Sequence, residues 1–394
     1  MSNFITSIDV KQVFHLKDFT IPISDTEKKH LIITGKNGSG KTVLMNAIVD
    51  CLNQVFQNRP INKVSQNVPA KTANSIAQFD DNGKKLFTNS IDLNLSDVSN
   101  WLRAIRMRTF LLAYYGDERK ANFVDVEPFM LTKPQLSWSK DIQDKKVDQF
   151  LSFMVYCKVQ AAMNGKEEAD AYNHWFDEFE EMLRQIYGDK ELTLEFQPRD
   201  YSFFIHTEGK DFKLTQLSAG YSSILDIVTD LILKMQSDEK LVRAYEMEGI
   251  VLIDEIDAHL HLELQRLILP MLTKFFPNIQ FIVTTHSPFI LNSLPNAVVF
   301  DMERREAIQN ENLTNYSYEA LTEGYFGIQT ASSDLMSRLG RIEELIHSNH
   351  LSKSESAALD KYFKDFDKIP DAVVPNIKAR YKQLKVEWLT KAKA

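Results

Sequence analysis

Cysteine is almost missing from this chain: two residues, Cys51 and Cys157, among 394. Two thiols cannot build a disulfide framework, and a reducing cytoplasm suits such a protein. No run of about 18 apolar residues occurs, which excludes a helix that spans a membrane. The first ten residues have no basic start and no long apolar run, so no secretory signal is expected. Positive charge is in the minority, 46 Lys and Arg against 54 Asp and Glu, for a formal net charge of −8. Proteins that coat nucleic acid through bulk charge are basic, so any such contact here must rest on a local patch. Repeats, low-complexity tracts and Gly/Ser linkers are missing too. What is present is ordinary for a globular protein: 44% hydrophobic and 25% charged residues, which excludes disordered and fibrous classes. The length allows two or three domains.

Residues 1–34 predict strand segments. Ile5, Ile8, Val10 and Phe14 alternate loosely, Phe19 to Ile23 follows, and Leu31-Ile32-Ile33 is a short continuous apolar run. Such a run fits a strand buried on both faces. After residue 42, Val43, Leu44, Ala47, Ile48, Cys51 and Leu52 recur at helical spacing. Residues 58–75 predict a polar loop, 75–95 a β-hairpin turning at Asn82-Gly83, 97–107 a short helix, and 108–115 a buried strand. Two apolar stripes within 141–188 are separated by Asn164-Gly165 and predict a helical hairpin, each helix about 18 residues long. Its acidic residues outnumber the basic ones between 163 and 190, eight to three, so that face is expected to be solvated. Strands follow at 191–196 and 201–206, then a helix to about Met235, a strand at 249–253, a helix from His261 to Phe275, and strands at 279–283 and 297–300. Alternating strands and helices predict a largely parallel sheet. Beyond about residue 306 the pattern is mostly helical.

Gly35-Lys36-Asn37-Gly38-Ser39-Gly40-Lys41-Thr42 matches G-x-x-x-x-G-K-[ST] between a strand and a helix, the context that makes the pattern a P-loop. Backbone N–H groups of Asn37, Gly38, Ser39 and Gly40 would close around phosphate oxygens, helped by the helix N-terminus. Lys41 would reach the β- and γ-phosphates of ATP, and Thr42 would ligate Mg²⁺. The strand at 249–253 ends in Asp254-Glu255. Asp254 is placed to hold Mg²⁺ and Glu255 to polarise an attacking water. Leu217-Ser218-Ala219-Gly220-Tyr221 opens a helix upstream, and Ser218 reads on its own as an N-cap. Ile279 to Thr284 is a strand leading to His286.

This order of motifs resembles the heads of ABC-type ATPases, over residues 1 to about 300. The resemblance implies an α/β P-loop fold with a mixed parallel sheet, an antiparallel arm and a short helical-hairpin insertion. It makes Ser218 and Gly220 the signature pair, which binds the γ-phosphate of nucleotide held by the other subunit. It makes His286 the switch histidine, which touches the γ-phosphate. Asp254-Glu255-Ile256-Asp257 departs from transporter subunits, which read Asp-Glu-Pro. Together with Thr284-Thr285-His286-Ser287-Pro288 it is similar to the RecF/SMC-related AAA group. That group includes ATPases of bacterial antiphage defence systems such as Septu (PtuA), PARIS and the OLD-like family. The helical hairpin sits where SMC proteins insert a coiled coil. The family's Q-loop glutamine is replaced here by Tyr115-Gly116-Asp117-Glu118-Arg119, where Asp117 is either a substitute or a turn residue.

The expected organisation is therefore an N-terminal part of the head at 1–140, the hairpin at 141–190, the rest of the head at 191–305 and a helical partner-docking region at 306–394. That region includes Tyr316-Ser317-Tyr318 and Glu323 to Gly327. The resemblance implies ATP and Mg²⁺ as cofactors and a homodimer or higher homo-oligomer in the cytoplasm, closed by ATP and opened by hydrolysis. A separate effector, a nuclease, is expected, because residues after 300 carry no Toprim-like acid cluster and no H-N-H pattern. A clamp that binds DNA directly is the alternative, and a toxin acting on RNA through its C-terminal part is a third reading. His259, His261 and Glu263 invite a metal reading, but histidines two apart lie on different helical faces, so an interface loop is the plainer one. Residues 376–394 carry Lys378, Arg380, Lys382, Lys385, Lys391 and Lys393 against Glu387, beside an apolar stripe of Ile377, Tyr381, Leu384 and Trp388. An amphipathic packing helix and a nucleic-acid contact both fit. Arg103, Arg106 and Arg108 form a second basic cluster with the same ambiguity.

Overall fold

The computed structural model describes residues 3–56, 78–79, 85–126, 141–163, 165–236, 245, 247–309, 333–348, 352–369 and 375–391. The chain forms two compact units, Met1–Tyr316 and Ser317–Ala394.

The first unit opens with β1 (Ile5–Val13) and β2 (Leu16–Pro22), an antiparallel pair turning at Phe14-His15. β3 (His30–Thr34), buried at every position, runs into the P-loop and α1 (Lys41–Phe56). β4 (Gln78–Phe79), β5 (Lys85–Phe87) and β6 (Ile91–Leu95) form a meander, and β6 pairs back onto β1. The segment expected to be one hairpin thus contributes three short strands. Its Asn82-Gly83 turn and the 58–75 loop lie outside the described residues. α2 (Val98–Arg106) begins at Asp97, whose side chain accepts from Asn100 N–H, a standard N-cap. β7 (Phe110–Tyr115) follows.

α3 (Phe150–Met163) and α4 (Lys166–Tyr187) are the helical hairpin, 14 and 22 residues long; Asn164 lies outside the described residues. Its aromatic cluster includes Trp175 stacked on Phe179, 5.6 Å between centroids and 3° between planes. β8 (Thr193–Gln197), β9 (Ser202–Thr207) and β10 (Lys210–Lys213) form a small antiparallel sheet. The unit ends with α5 (Ala219–Met235), β11 (Glu248–Ile253), α6 (Leu262–Phe275), β12 (Ile279–Thr284), α7 (Pro288–Leu291), β13 (Ala297–Asp301) and β14 (Glu306–Gln309).

The central sheet has the order β14-β13-β3-β12-β11-β7. Its strands are parallel except β14, which adds antiparallel to β13. The strands read from the sequence at 31–33, 108–115, 249–253, 279–283 and 297–300 are β3, β7, β11, β12 and β13, and their burial fits strands covered on both faces. β10 and β14 are the strands that hydrophobic pattern did not reveal. Gly249 lets β11 approach β7: a Cβ there would lie 2.6 Å from the Leu111 carbonyl oxygen.

One polar residue interrupts the apolar run of β12. Gln280 is fully buried; its Oε1 accepts from Ile5 N–H at 2.8 Å, and its Nε2 donates to Ile5 O at 2.9 Å and Lys29 O at 2.8 Å. The amide therefore ties the antiparallel arm to the central sheet with its polar atoms satisfied. Both cysteines are buried and free. No helix among the described residues is long and apolar enough to cross a membrane.

In the second unit, α8 (Ser333–His347), α9 (Lys353–Asp367) and α10 (Pro375–Lys391) share a core of Ile342, Phe366, Tyr381 and Leu384. Ser352 and Glu355 form a capping box at the start of α9. The basic residues of α10 serve this packing. Lys378 is buried and donates to the carbonyls of Phe366 and Ile369 at the end of α9, where a cation also suits the helix dipole. Arg380 pairs with Glu343, Lys385 with Asp367, and Lys391 donates to Ile346 O. The helix packs its apolar stripe on α8 and α9, and Arg380 and Lys391 stay exposed beside their partners. Lys393 and the segments at 316–318 and 323–327 lie outside the described residues.

His30 gives a pH test of the core. It is buried on β3, its Nδ1 accepts from Phe281 N–H at 3.0 Å, and burial, then Lys28, push its pKa down to about 3. The unfolded chain takes up this proton below about pH 6.5 and the folded chain only near pH 3. The contribution to stability is therefore full above about pH 6.5 and falls as acid is added, by up to ~1.4 kcal/mol per pH unit. Urea midpoints measured between about pH 7.5 and 5 should drop in the wild type and flatten in His30→Asn.

Candidate functional site

β3 ends at Thr34, and the chain turns through Gly38 (φ 81°) and Gly40 (φ 95°) before α1. A Cβ on Gly40 would lie 3.1 Å from His15 Nε2 and from both Leu16 methyls, so the turn needs glycine for backbone angle and for space. α1 starts at Lys41, and its first N–H groups have no partner within the helix. Such a helix start is an anion site. Lys41 is buried, with Nζ donating to Gly35 O at 2.8 Å and Lys36 O at 3.1 Å. Burial lowers its pKa, while Glu255, Asp254, Asp257 and Glu303 act against that shift. The ammonium thus rests on loop carbonyls, in the field of the Walker B acids.

Those acids follow β11. Asp254 N–H donates to Tyr115 O at the end of β7, 2.8 Å away. The buried Thr284 hydroxyl donates to Asp254 Oδ1 and accepts from Glu255 N–H at 2.7 Å. Glu255 stands at φ 46°, a left-handed conformation uncommon for glutamate. The hydroxyl of Thr285 donates to Asp257 Oδ1, which also accepts from His286 N–H at 3.3 Å. His286 is thereby fixed to the loop after β11. Burial and Lys41 lower the His286 pKa, against Asp257, Glu255 and Asp254. At neutral pH its imidazole is neutral and has one acceptor and one donor nitrogen.

The donor set suits Mg²⁺. Asp254 keeps Oδ2 for a cation while Oδ1 is held by Thr284, and the exposed Thr42 hydroxyl is a second hard oxygen. Mg²⁺ is usually bound by one or two protein oxygens together with substrate phosphates. No cluster of three His, Cys, Asp or Glu side chains that could hold a metal occurs among the described residues. His259 and His261 are exposed, and His261 is the N-cap residue of α6.

Ser218 is the N-cap residue of α5 (φ −68°, ψ 158°), yet its hydroxyl makes no capping bond and the residue is exposed. Capping therefore does not account for it. A Cβ on Gly220 would lie 3.2 Å from His259 O, which places the helix start against the loop after Asp257. Asp117 is exposed on the bend after β7. Arg103, Arg106 and Arg108 are exposed at the end of α2. Sequence reading missed Thr284, Asp257 and Arg119 as organising residues. A signal existed for the first: Thr284 ends a buried strand and Thr285 follows it, and buried hydroxyls need partners.

The profile of the AAA_21 family, described as "AAA domain, putative AbiEii toxin, Type IV TA system", matches residues 31–292. The chain belongs to this family. It is 26% identical to the Septu protein PtuA of Bacillus mycoides (strain KBAB4) over 93% of this chain and 51% of that protein. It is 23% identical to the Retron Vc95 probable ATPase of Vibrio cholerae serotype O1 biovar El Tor, over 88% of this chain and 80% of that one. The chain spans about half the length of the Bacillus mycoides relative. Among solved structures it is similar to an SmcHead bound to the C-winged helix domain of ScpA, at 15% identity and a TM-score of 0.39, covering 78% of this chain and 99% of that one.

Thr284→Val keeps the volume and removes the hydroxyl that orients Asp254 and Glu255. ATP turnover should fall at least about tenfold, ~1.4 kcal/mol of barrier, with the melting profile shifted only slightly. A phosphate-release assay on the purified variant checks this, and turnover at the wild-type rate would show that the bridge is dispensable.

Proposed function

We propose that this chain is an ATP hydrolase that works as a two-fold dimer and controls a separate effector in antiphage defence. One observation supports the composite site above others. Lys41, Asp254, Glu255 and His286 influence one another electrostatically within one chain, whereas Ser218 presents an exposed hydroxyl with no partner on its own helix. ATP would lie on the P-loop of one protomer and be completed by Ser218 and Gly220 of its partner. Lys41 and the amides of residues 37–42 would hold the phosphates, and Thr42 and Asp254 would hold Mg²⁺, a group that would supply charge neutralisation there. Glu255 takes the proton of the attacking water, and His286 bonds the γ-phosphate. Nucleotide favours the closed dimer because only that state supplies both halves of the site. Hydrolysis removes the shared γ-phosphate and with it the differential contacts.

The effector assignment follows the names of the relatives, a Septu protein and a retron ATPase. A nuclease on a separate chain is the expected effector, and a second copy of this chain the expected first partner. The DNA clamp remains a second reading, favoured by the exposed Arg103, Arg106 and Arg108 at the end of α2. DNA-stimulated ATPase activity with a steep salt dependence would mark it.

Glu255→Gln should bind ATP and accumulate as a dimer in size-exclusion chromatography with light scattering. Adding Ser218→Arg to that variant should return it to the monomer position with P-loop affinity intact. The dimer reading is falsified if Glu255→Gln stays monomeric with saturating ATP and Mg²⁺. Lys41→Ala should lose nucleotide binding by at least about a hundredfold, ~2.7 kcal/mol, read by titration with a fluorescent ATP analogue.

A further inference from the structure

Beneath the bend that follows β7 lies a guanidinium to which the hydrolytic reading gives no role. Arg119 is buried. Its Nη1 donates to Gly116 O and to Asp254 O, both at 2.7 Å, its Nη2 donates to Glu255 O at 2.7 Å, and its Nε donates to Ser223 Oγ at 3.2 Å. Three segments far apart in sequence therefore share one rigid fork: the bend in the Q-loop position, the turn that carries Glu255, and the first turns of α5, which Ser218 and Gly220 open. The bend is fastened to α5 again nearby. Ala121 N–H donates to Ser222 Oγ at 2.9 Å, and Tyr115 donates its hydroxyl to Asp230 Oδ2 at 2.8 Å.

A guanidinium bonded to the carbonyl of a left-handed glutamate holds the backbone turn from which that glutamate's side chain projects. Bonded also to α5, it makes that turn depend on where α5 stands. In a two-fold dimer these roles belong to different nucleotides: α5 engages the one on the partner, and Glu255 acts on the one held by its own chain.

We propose that Arg119 is a positioning residue that couples the signature helix to Glu255, so that engagement of the partner's ATP aligns the base for the chain's own ATP. The two sites then fire as a linked pair. The inference rests on the reading of Glu255 as base and of Ser218 as a group acting across the dimer.

Arg119→Lys keeps the charge and loses the fork. In the full-length protein it should bind a fluorescent ATP analogue within about twofold of wild type while kcat falls at least about tenfold. The Hill coefficient for ATP should exceed 1 in the wild type and fall to 1 in the variant. A residue that only fills space would change stability and leave that pattern of affinity, kcat and cooperativity untouched. Turnover of Arg119→Lys within about twofold of wild type, or a wild-type Hill coefficient of 1, overturns the proposal. If circular dichroism shows that Arg119→Lys does not fold, Ser223→Ala decides, since it cuts only the α5 end of the link. Loss of cooperativity at unchanged affinity supports the coupling, and unchanged cooperativity overturns it. Full turnover in Glu255→Gln would instead remove the base reading itself. An inert Glu255→Gln beside a fully active Arg119→Lys defeats the Arg119 proposal alone.

Discussion

Parallel pairing sets Ile33 beside Thr284, and Val283 beside Ile253, so β3, β12 and β11 end at one edge of the central sheet. Three candidate-site segments leave from that edge: the P-loop from β3, the Asp254-Glu255 turn from β11, and the Thr285-His286 segment from β12. Ligand sites in open α/β sheets lie beyond the carboxyl ends of the strands, and the cause here is register. Thr285 N–H even donates to Ile33 O, at 3.0 Å, which holds the histidine segment against the strand that feeds the phosphate loop. A one-step slip of β12 would carry Thr284 away from both acids at once.

Much of this was legible because it is local. The P-loop is eight contiguous residues, and the buried parallel strands are mostly apolar runs that need no partner to be recognised. What the pattern could not give was the order in which the strands line up, or strands such as β10 and β14, which are short and mostly polar. The organising groups were hidden for a related reason. Thr284 meets Asp254 across 30 positions of sequence, and Arg119 meets Asp254 across 135. No spacing rule spans such gaps. The basic composition of α10 left two readings open, and what the fold adds is that Tyr381 and Leu384 of its apolar stripe are buried in a core with α8 and α9.

The charges around α5 form a second layer behind the site. Asp226, Asp230 and Lys234 lie along one face of the helix at four-residue intervals. Lys145 pairs with Asp226 at 2.6 Å and Lys234 with Asp230 at 2.7 Å. Buried ions of this kind cost more to desolvate than they return in attraction unless they are fully bonded. Asp230 also accepts from the Tyr115 hydroxyl of β7 and from Lys146 N–H, so the buried charges tie α5 to β7 and to the segment before α3.

Glu255 itself carries a different burden. A glutamate in the left-handed region lies about 1–3 kcal/mol above a relaxed backbone, and here it is sustained by Thr284 on one side and Arg119 on the other. Asparagine or glycine would adopt that angle at less cost. Mutational drift toward a sturdier fold therefore leads, at this position, away from the carboxylate, against the direction that the role proposed for Glu255 requires.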